Sequence, residues 1–198
     1  MISLRKLQRE PVIEIRKANS ADELAGIGYL THAEIAFLKE LAQEVPVGGC
    51  IVNVGSGAGT SALAFTEARD DVTLYSVDKD RRMLSNEENA LKRALRWDDR
   101  KIWQICGESH QVGTNWLKIK RPGNRHMLID FIFIDDGHLA HEIRGDIENW
   151  LPNVMPTGIM VFHDYGSPFW ADVKVVVDEL MNGKKLLGQV DTVIAFGV

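Results

Sequence analysis

The stretch CIVNVGSGAGTSALAFTEARDDVTLYSVD, residues 50–78, decides the fold. An apolar run ends in Gly55-Ser56-Gly57-Ala58-Gly59, a helical segment follows from Thr60, and a second apolar run ends in Asp78. This reads as strand, turn, helix, strand, with a nucleotide-sized site at the open end of the unit. Glycines at alternate positions let backbone N–H groups approach a ligand, because no Cβ intervenes. The helix start adds its positive end. Asp78 is placed to accept hydrogen bonds from two ribose hydroxyls, so the expected occupant carries an adenosine.

The spacing of the glycines narrows the choice. A dinucleotide fingerprint reads G-x-G-x-x-G, but here the third glycine falls one place early, at Gly59, and Thr60 stands where it is expected. A phosphate-binding Walker loop requires a Lys after its glycines, and none follows. The pattern Gly55-x-Gly57-x-Gly59 resembles the first motif of Rossmann-like (class I) S-adenosylmethionine-dependent methyltransferases. That resemblance implies a glycine loop, including Ser56 and Thr60, wrapped around the methionine part of the cofactor, with Asp78 and Lys79 at its ribose. The chain departs from the family at Asn53, where an acidic residue is usual. An amide there can still bond the cofactor's ammonium group, without a compensating charge.

Composition sets the frame. The chain has 198 residues, 45% apolar and 26% charged, which suits one well-buried domain spanning 1–198. Within it, residues 1–45 read as an N-terminal arm and helix that could serve as a lid, and 46–198 as the core. No apolar run is long enough for a membrane span, and the N-terminus lacks the apolar core of a signal peptide. A cytoplasmic location without membrane association is expected. Cys50 and Cys106 each lie in an apolar run and read as reduced core residues. The formal net charge of −5 argues against a nucleic-acid partner. An N-terminal arm on a small domain is compatible with a homodimer.

Along the chain, Thr31-His32-Ala33-Glu34 forms a capping box, with Ile35, Leu38, Leu41, Ala42 and Val45 at helical spacing behind it. Apolar runs at 72–77, 101–106, 129–135 and 158–163 read as strands covered on both faces. Helical patterns fall at 60–69, 83–96, 110–118 and 141–151, and a last helix is expected to start with Ser167 as cap and Pro168 in its first turn. Residues 185–198 close with one or two strands. The alternation predicts an α/β, doubly wound, mostly parallel sheet with helices on both faces. The family resemblance adds an antiparallel last strand.

In such sheets ligands bind beyond the carboxyl ends of the strands, so the residues there are the functional inventory. They are the glycine loop, Asp78-Lys79, Gly107-Glu108-Ser109, Asp135-Asp136-Gly137-His138 and His163-Asp164-Tyr165. Residues 129–166, IDFIFIDDGHLAHEIRGDIENWLPNVMPTGIMVFHDYG, are similar to a subgroup of small-molecule O-methyltransferases, several acting on sugars or natural products, with D-G-x-H and H-D-Y motifs. The resemblance implies that Glu108 and Ser109 meet the adenine, and that either Asp135 or Asp136 inherits the acidic role after the fourth strand. Asp135 keeps the spacing to His138, whereas Asp136 keeps the Asp-Gly pair.

Methyl transfer is an in-line displacement, so the acceptor must be aligned and its oxygen kept deprotonated. His138 is the first candidate base, with His163 second and Asp136 beside them. Metal-dependent relatives hold a divalent cation at these two strand ends, which here implies Asp135 and Asp164, with His163 as a further ligand. A histidine in the set suits Mg²⁺ less well than another divalent cation. Trp116, Phe169 and Trp170 are candidates for an acceptor pocket, and Lys118, Lys120, Arg121 and Arg125 for a loop favouring an anionic acceptor. The expected function is S-adenosylmethionine-dependent O-methylation of a small molecule. The alternatives are an NAD(P)-dependent oxidoreductase and a cofactor-binding protein that has lost catalysis.

Overall fold

The computed structural model describes residues 17–27, 29–119 and 128–198. Seven strands form one sheet: β1 (Cys50–Val54), β2 (Thr73–Asp78), β3 (Ile102–Cys106), β4 (Ile129–Ile134), β5 (Val154–Phe162), β6 (Lys185–Val190) and β7 (Val193–Gly197). Their order is β3-β2-β1-β4-β5-β7-β6. The first five pair in parallel, and β7 inserts antiparallel between β5 and β6. The expected doubly wound sheet with an antiparallel end is therefore present. Residues 1–16 of the expected arm and the basic positions Lys120, Arg121 and Arg125 lie outside the described residues.

Among the described residues, six α-helices flank the sheet: α1 (His32–Gln43), α2 (Thr60–Ala68), α3 (Arg81–Arg93), α4 (Ser109–Thr114), α5 (Ala140–Trp150) and α6 (Ala171–Leu180). The capping box opens α1 as predicted. The Glu34 N–H donates to Thr31 Oγ1 at 3.1 Å, and the Thr31 N–H donates to the Glu34 carboxylate at 2.9 Å. Strand alternation divides the core in two. Phe131 and Phe133 of β4 join Phe65, Leu38 and Val161 on one face, while Ile132 and Ile134 join Trp116, Trp150 and Met160 on the other.

Three local expectations are corrected. The last helix begins at Ala171 rather than at Ser167, and its first residue is preceded by Trp170 without a side-chain cap. Ser167 instead sits buried in the loop after β5, where the turn through Gly166 displaces the helix start. β3 is the edge strand and only Ile102 in it is buried, so its apolar run was not evidence of cover on both faces. Cys106, at the end of that edge strand, is exposed, unlike the buried Cys50.

The reversal of strand order falls between β1 and β4, and there the glycine loop packs tightly against the backbone that follows β4. A Cβ on Gly55 would lie 2.1 Å from the backbone oxygen of Asp135, and Gly55 has φ +88°. Both the contact and the dihedral exclude a side chain. We expect Gly55→Ala to lower stability by about 2 kcal/mol or more and to weaken cofactor binding with it. The denaturant midpoint and cofactor affinity of the variant check this.

Candidate active site

The ends of β1, β2, β4 and β5 open onto a cleft of about 770 Å³, walled by the glycine loop on one side and by Asp135, His138, His163 and Asp164 on the other. A hollow of about 860 Å³ at the other end of the sheet, beside Asp130 and Gly158, carries no comparable cluster. The loop wall is held by Asp78. Its carboxylate accepts from the Ser56 N–H at 2.9 Å through one oxygen and from the Asp80 N–H at 2.8 Å through the other. Each oxygen keeps a lone pair for a ribose hydroxyl. The nine-residue α2 starts at Thr60, so its positive end faces the same space.

On and behind the opposite wall, five ionisable groups interlock: Glu34, Asp135, His138, His163 and Asp164. The His163 ring is 7% exposed, with Asp135 Oδ1 2.8 Å from Nδ1 and Glu34 Oε2 3.8 Å from Nε2. Carboxylates at both nitrogens mean that both carry protons, so the ring is an imidazolium. Burial alone would lower its pKa, but the bond to Asp135 and the charges of Asp135, Asp164 and Glu34 push it up to about 12. Asp164 lies 3.5 Å from the same Nδ1 and bonds His138 Nε2 at 2.8 Å. It adopts φ 57°, a strained conformation for a non-glycine residue that fixes the direction of its carboxylate. The Asp164 bond raises the His138 pKa above imidazole's ordinary 6.5. Asp164 is held well below the usual carboxylate range, because its bonds to His138 and His163 outweigh burial.

The two acids left open by the sequence thus part company. Asp135 turns to His163, and Asp136 faces Lys79 at 3.8 Å. Burial, with Asp78 and Glu108 nearby, raises the Asp136 pKa despite Lys79. Lys79 and Asp136 separate the main cleft from a hollow of about 320 Å³ lined by Glu108, Gly137 and His141, which extends the cofactor site on the side expected for adenine. Ser109 is buried at its edge, where it accepts from Trp150 Nε1–H at 2.9 Å. Ser109 therefore holds the packing rather than presenting a free hydroxyl.

Other expected residues fall elsewhere. Asn53 is fully buried in β1 and does not line the cleft, and Gly59 is likewise covered. Trp116 belongs to the core, edge-on to Tyr75 and Trp150 at 5.1 and 5.3 Å. Phe169 and Trp170 do border the cleft, with Tyr29 across from them. Trp170 stacks on His138 at 4.4 Å. Lys118 is exposed and bonded to Asn115, away from the cleft.

One donor set suits a cation. Single ligand atoms of Asp135, His138 and Asp164 all lie within 4.8 Å of one another. The histidine of this set is thus His138 and not His163, which the sequence offered as a further ligand and whose Nδ1 is bonded to Asp135. Two carboxylates and an imidazole fit Mn²⁺, Fe²⁺ or Zn²⁺ better than Mg²⁺.

A family described as "Methyltransferase domain" matches residues 52–165. The chain belongs to that methyltransferase family. The methyltransferase class and the Rossmann-like sheet expected from the motifs hold for this chain. An O-methyltransferase from Bacillus cereus solved with S-adenosylhomocysteine is similar in fold, with a TM-score of 0.70 at 15% identity, covering 95% of this chain and 90% of that one. The O-methyltransferase TomG of tomaymycin synthesis, from Streptomyces achromogenes and solved with S-adenosylmethionine, gives 0.67 at 15% identity, covering 96% and 90%. CalS11, a TDP-rhamnose 3′-O-methyltransferase of calicheamicin biosynthesis, gives 0.63 at 13% identity, covering 82% and 76%. An uncharacterized protein, y4gI of Sinorhizobium fredii, is 36% identical over 36 residues, which is 18% of this chain. The matched segment spans only 4% of that relative's length.

Glu34 was visible in the sequence only as a helix cap. In the structure it is 1% exposed and also accepts from the Thr192 N–H and hydroxyl at 3.0 and 2.7 Å. Burial would raise its pKa, but His163, Thr31 and Thr192 bring it down from 4.5 to about 2. A depressed carboxyl contributes stability above its unfolded pKa and loses it as pH falls through the folded one. Glu34→Gln is therefore expected to cost roughly 3 kcal/mol at neutral pH. It should also flatten the fall in stability between pH 4.5 and about 2. Urea denaturation across that range reads both effects.

Proposed function

We propose that this protein transfers the methyl group of S-adenosylmethionine to a hydroxyl oxygen of a small molecule, with His138 as general base. The observation that carries the reading is the His138–Asp164 pair, bonded at 2.8 Å and set in the cleft opposite the glycine loop. In the neutral ring, Asp164 accepts from Nε2–H, which leaves the lone pair on Nδ1. The base is thus oriented by a fixed carboxylate, as nucleophile activation requires. Asp164 also favours the imidazolium that forms when Nδ1 takes the acceptor's proton, so proton removal and methyl transfer proceed with the charge compensated. Trp170 against one face of the ring restricts its rotation. Support for oxygen as acceptor comes from the three similar structures, each of which is named an O-methyltransferase.

A second reading rests on the same residues. Asp135, His138 and Asp164 would hold a divalent cation, which would supply Lewis-acid stabilisation to the acceptor oxygenate. The two readings use His138 differently, because a ligand nitrogen is not available as a base. A small-molecule acceptor and a cytoplasmic setting complete the proposal. No helix among the described residues is long and apolar enough to cross a membrane.

The test begins with calorimetric titration of S-adenosylhomocysteine and NAD, each with a divalent cation and with EDTA. Binding of the homocysteine compound alone is the expected result; binding of NAD alone would overturn the proposal. With an acceptor in hand, His138→Ala is expected to lower kcat by roughly 10²- to 10⁴-fold with cofactor affinity retained, and unchanged turnover would remove His138 as base. Because only the neutral ring accepts a proton, the wild-type rate should rise with pH through an apparent pKa above 6.5. Asp164→Asn should move that limb to lower pH. If EDTA abolishes turnover and Mn²⁺ restores it, the cation reading replaces the base.

A further inference from the structure

Among the described residues, the buried side-chain polar atoms without a hydrogen-bond partner are Asn53 Oδ1, Ser56 Oγ and Ser76 Oγ. All three lie in or beneath the glycine loop. Ser56 belongs to the loop itself, Asn53 precedes it in β1, and Ser76 is the register partner of Asn53 in β2. Gln104 is in turn the partner of Ser76 in β3. Asn53, Ser76 and Gln104 thus form a polar row across three parallel strands, on the face from which Asp78 projects two residues further along β2.

Glu87 of α3 covers this row. It is 0% exposed and accepts from Gln104 Nε2 at 3.0 Å and from Asn53 Nδ2 at 3.3 Å. Its bonding partners are neutral side chains, and it forms no ion pair among the described residues. α3 presses it against the loop: a Cβ on Gly59 would lie 3.0 Å from Glu87 Cα and 3.1 Å from Ala90 Cβ. A buried carboxyl without a counter-ion is costly when charged. Burial pushes the Glu87 pKa up from 4.5 to about 7, against the opposing pull of the neighbouring Gln104, Ser76 and Asn53 side chains and with a further rise from Asp78. Asp78 of β2 is the charged group that faces it; β1 and β3 present only the amides.

The missing charge has a candidate. The family resemblance flags Asn53 as an amide where an acid is usual, and Glu87 brings a carboxyl to that same amide from a different element. The loop above is the binding place of a cofactor that is a sulfonium before transfer and a neutral thioether after it. We propose that Glu87 is a positioning residue that discriminates the charged cofactor from its neutral product, losing its proton to solvent when a sulfonium occupies the glycine loop and regaining it when the thioether remains. The inference rests on the cofactor reading above. In this step only the Glu87 carboxyl O–H bond breaks and re-forms, one proton passing to solvent and returning; in methyl transfer itself the sulfonium's S–C bond breaks, the O–C bond forms, and the positive charge leaves as the proton lost from the acceptor hydroxyl. The coupling favours substrate over product increasingly as pH rises through the range in which the Glu87 proton is lost.

The experiment is calorimetric titration of the full chain with S-adenosylmethionine and with S-adenosylhomocysteine, near pH 6 and near pH 8.5, in buffers of unlike ionisation enthalpy. For the wild type, the preference for the sulfonium over the thioether should be about threefold or more larger near pH 8.5 than near pH 6, because near pH 6 sulfonium binding must expel a proton that near pH 8.5 is already gone. Proton release should accompany the sulfonium and not the thioether near pH 6. Glu87→Gln should abolish that difference in proton release, with circular dichroism confirming the fold. Gln104→Met, which removes a donor to the carboxylate, should move the window of proton release to higher pH and keeps the test available if Glu87→Gln fails to fold. Equal proton release with both ligands, or release unchanged in Glu87→Gln, overturns the proposal and assigns the linkage to His138 or Asp136. Failure of both ligands to bind the wild type overturns the cofactor reading itself, a result distinct from either.

Discussion

The structure depends on a single buried imidazolium. His163 stands at the end of β5 with Asp135 of the β4 end on one nitrogen and Glu34 of α1 toward the other. Glu34 in turn bonds the β6–β7 turn through Thr192 and closes the cap of α1 through Thr31. One ring therefore joins an N-terminal helix, two central strands and the C-terminal hairpin at the point where the cleft opens. Each carboxylate is tolerable in the interior only because the ring is charged, and the ring stays charged only because the carboxylates surround it. Removing any member leaves another uncompensated.

This arrangement has a chemical consequence for the neighbouring histidine. Asp164 lies between the two rings, closer to His138 at 2.8 Å than to His163 at 3.5 Å. His163 supplies positive charge that does not move, so His138 is the ring whose protonation can change during a reaction. The two histidines, equivalent in a list of candidates, are separated by burial and partner count: His163 is enclosed, whereas His138 remains part-buried at the cleft wall.

The fold was largely legible because its signals are local and repeated. Alternating glycines after an apolar run, a capping box at Thr31 and strand-length apolar runs each name their element without help from the rest of the chain. The site was legible only as a set of strand ends. Nothing in the adjacent pair Asp135-Asp136 says which turns to His163 and which to Lys79, because that depends on the backbone path after β4. Glu34 and Glu87 were missed for a different reason. Each is an acid on the apolar stripe of its helix, beside Ile35 and Leu38 in α1 and between Leu84 and Ala90 in α3. A charge in a buried stripe is the signal that could have found them. Edge strand β3 failed in the opposite sense, since an apolar run does not reveal whether a neighbour covers it.

Glu34 and Glu87 also show what burial does and does not decide. Both side chains are almost wholly enclosed, yet one carboxyl is brought down to about 2 and the other pushed up to about 7. Burial raises both. The difference lies in the partners: an imidazolium and three donors from Thr31 and Thr192 for Glu34, against neutral side chains for Glu87. A carboxylate with a cation in reach behaves as a fixed charge, and one without behaves as a store for a proton. The fold thus places a charge pair behind the proposed base and, beneath the glycine loop, a carboxyl whose surroundings disfavour its charge.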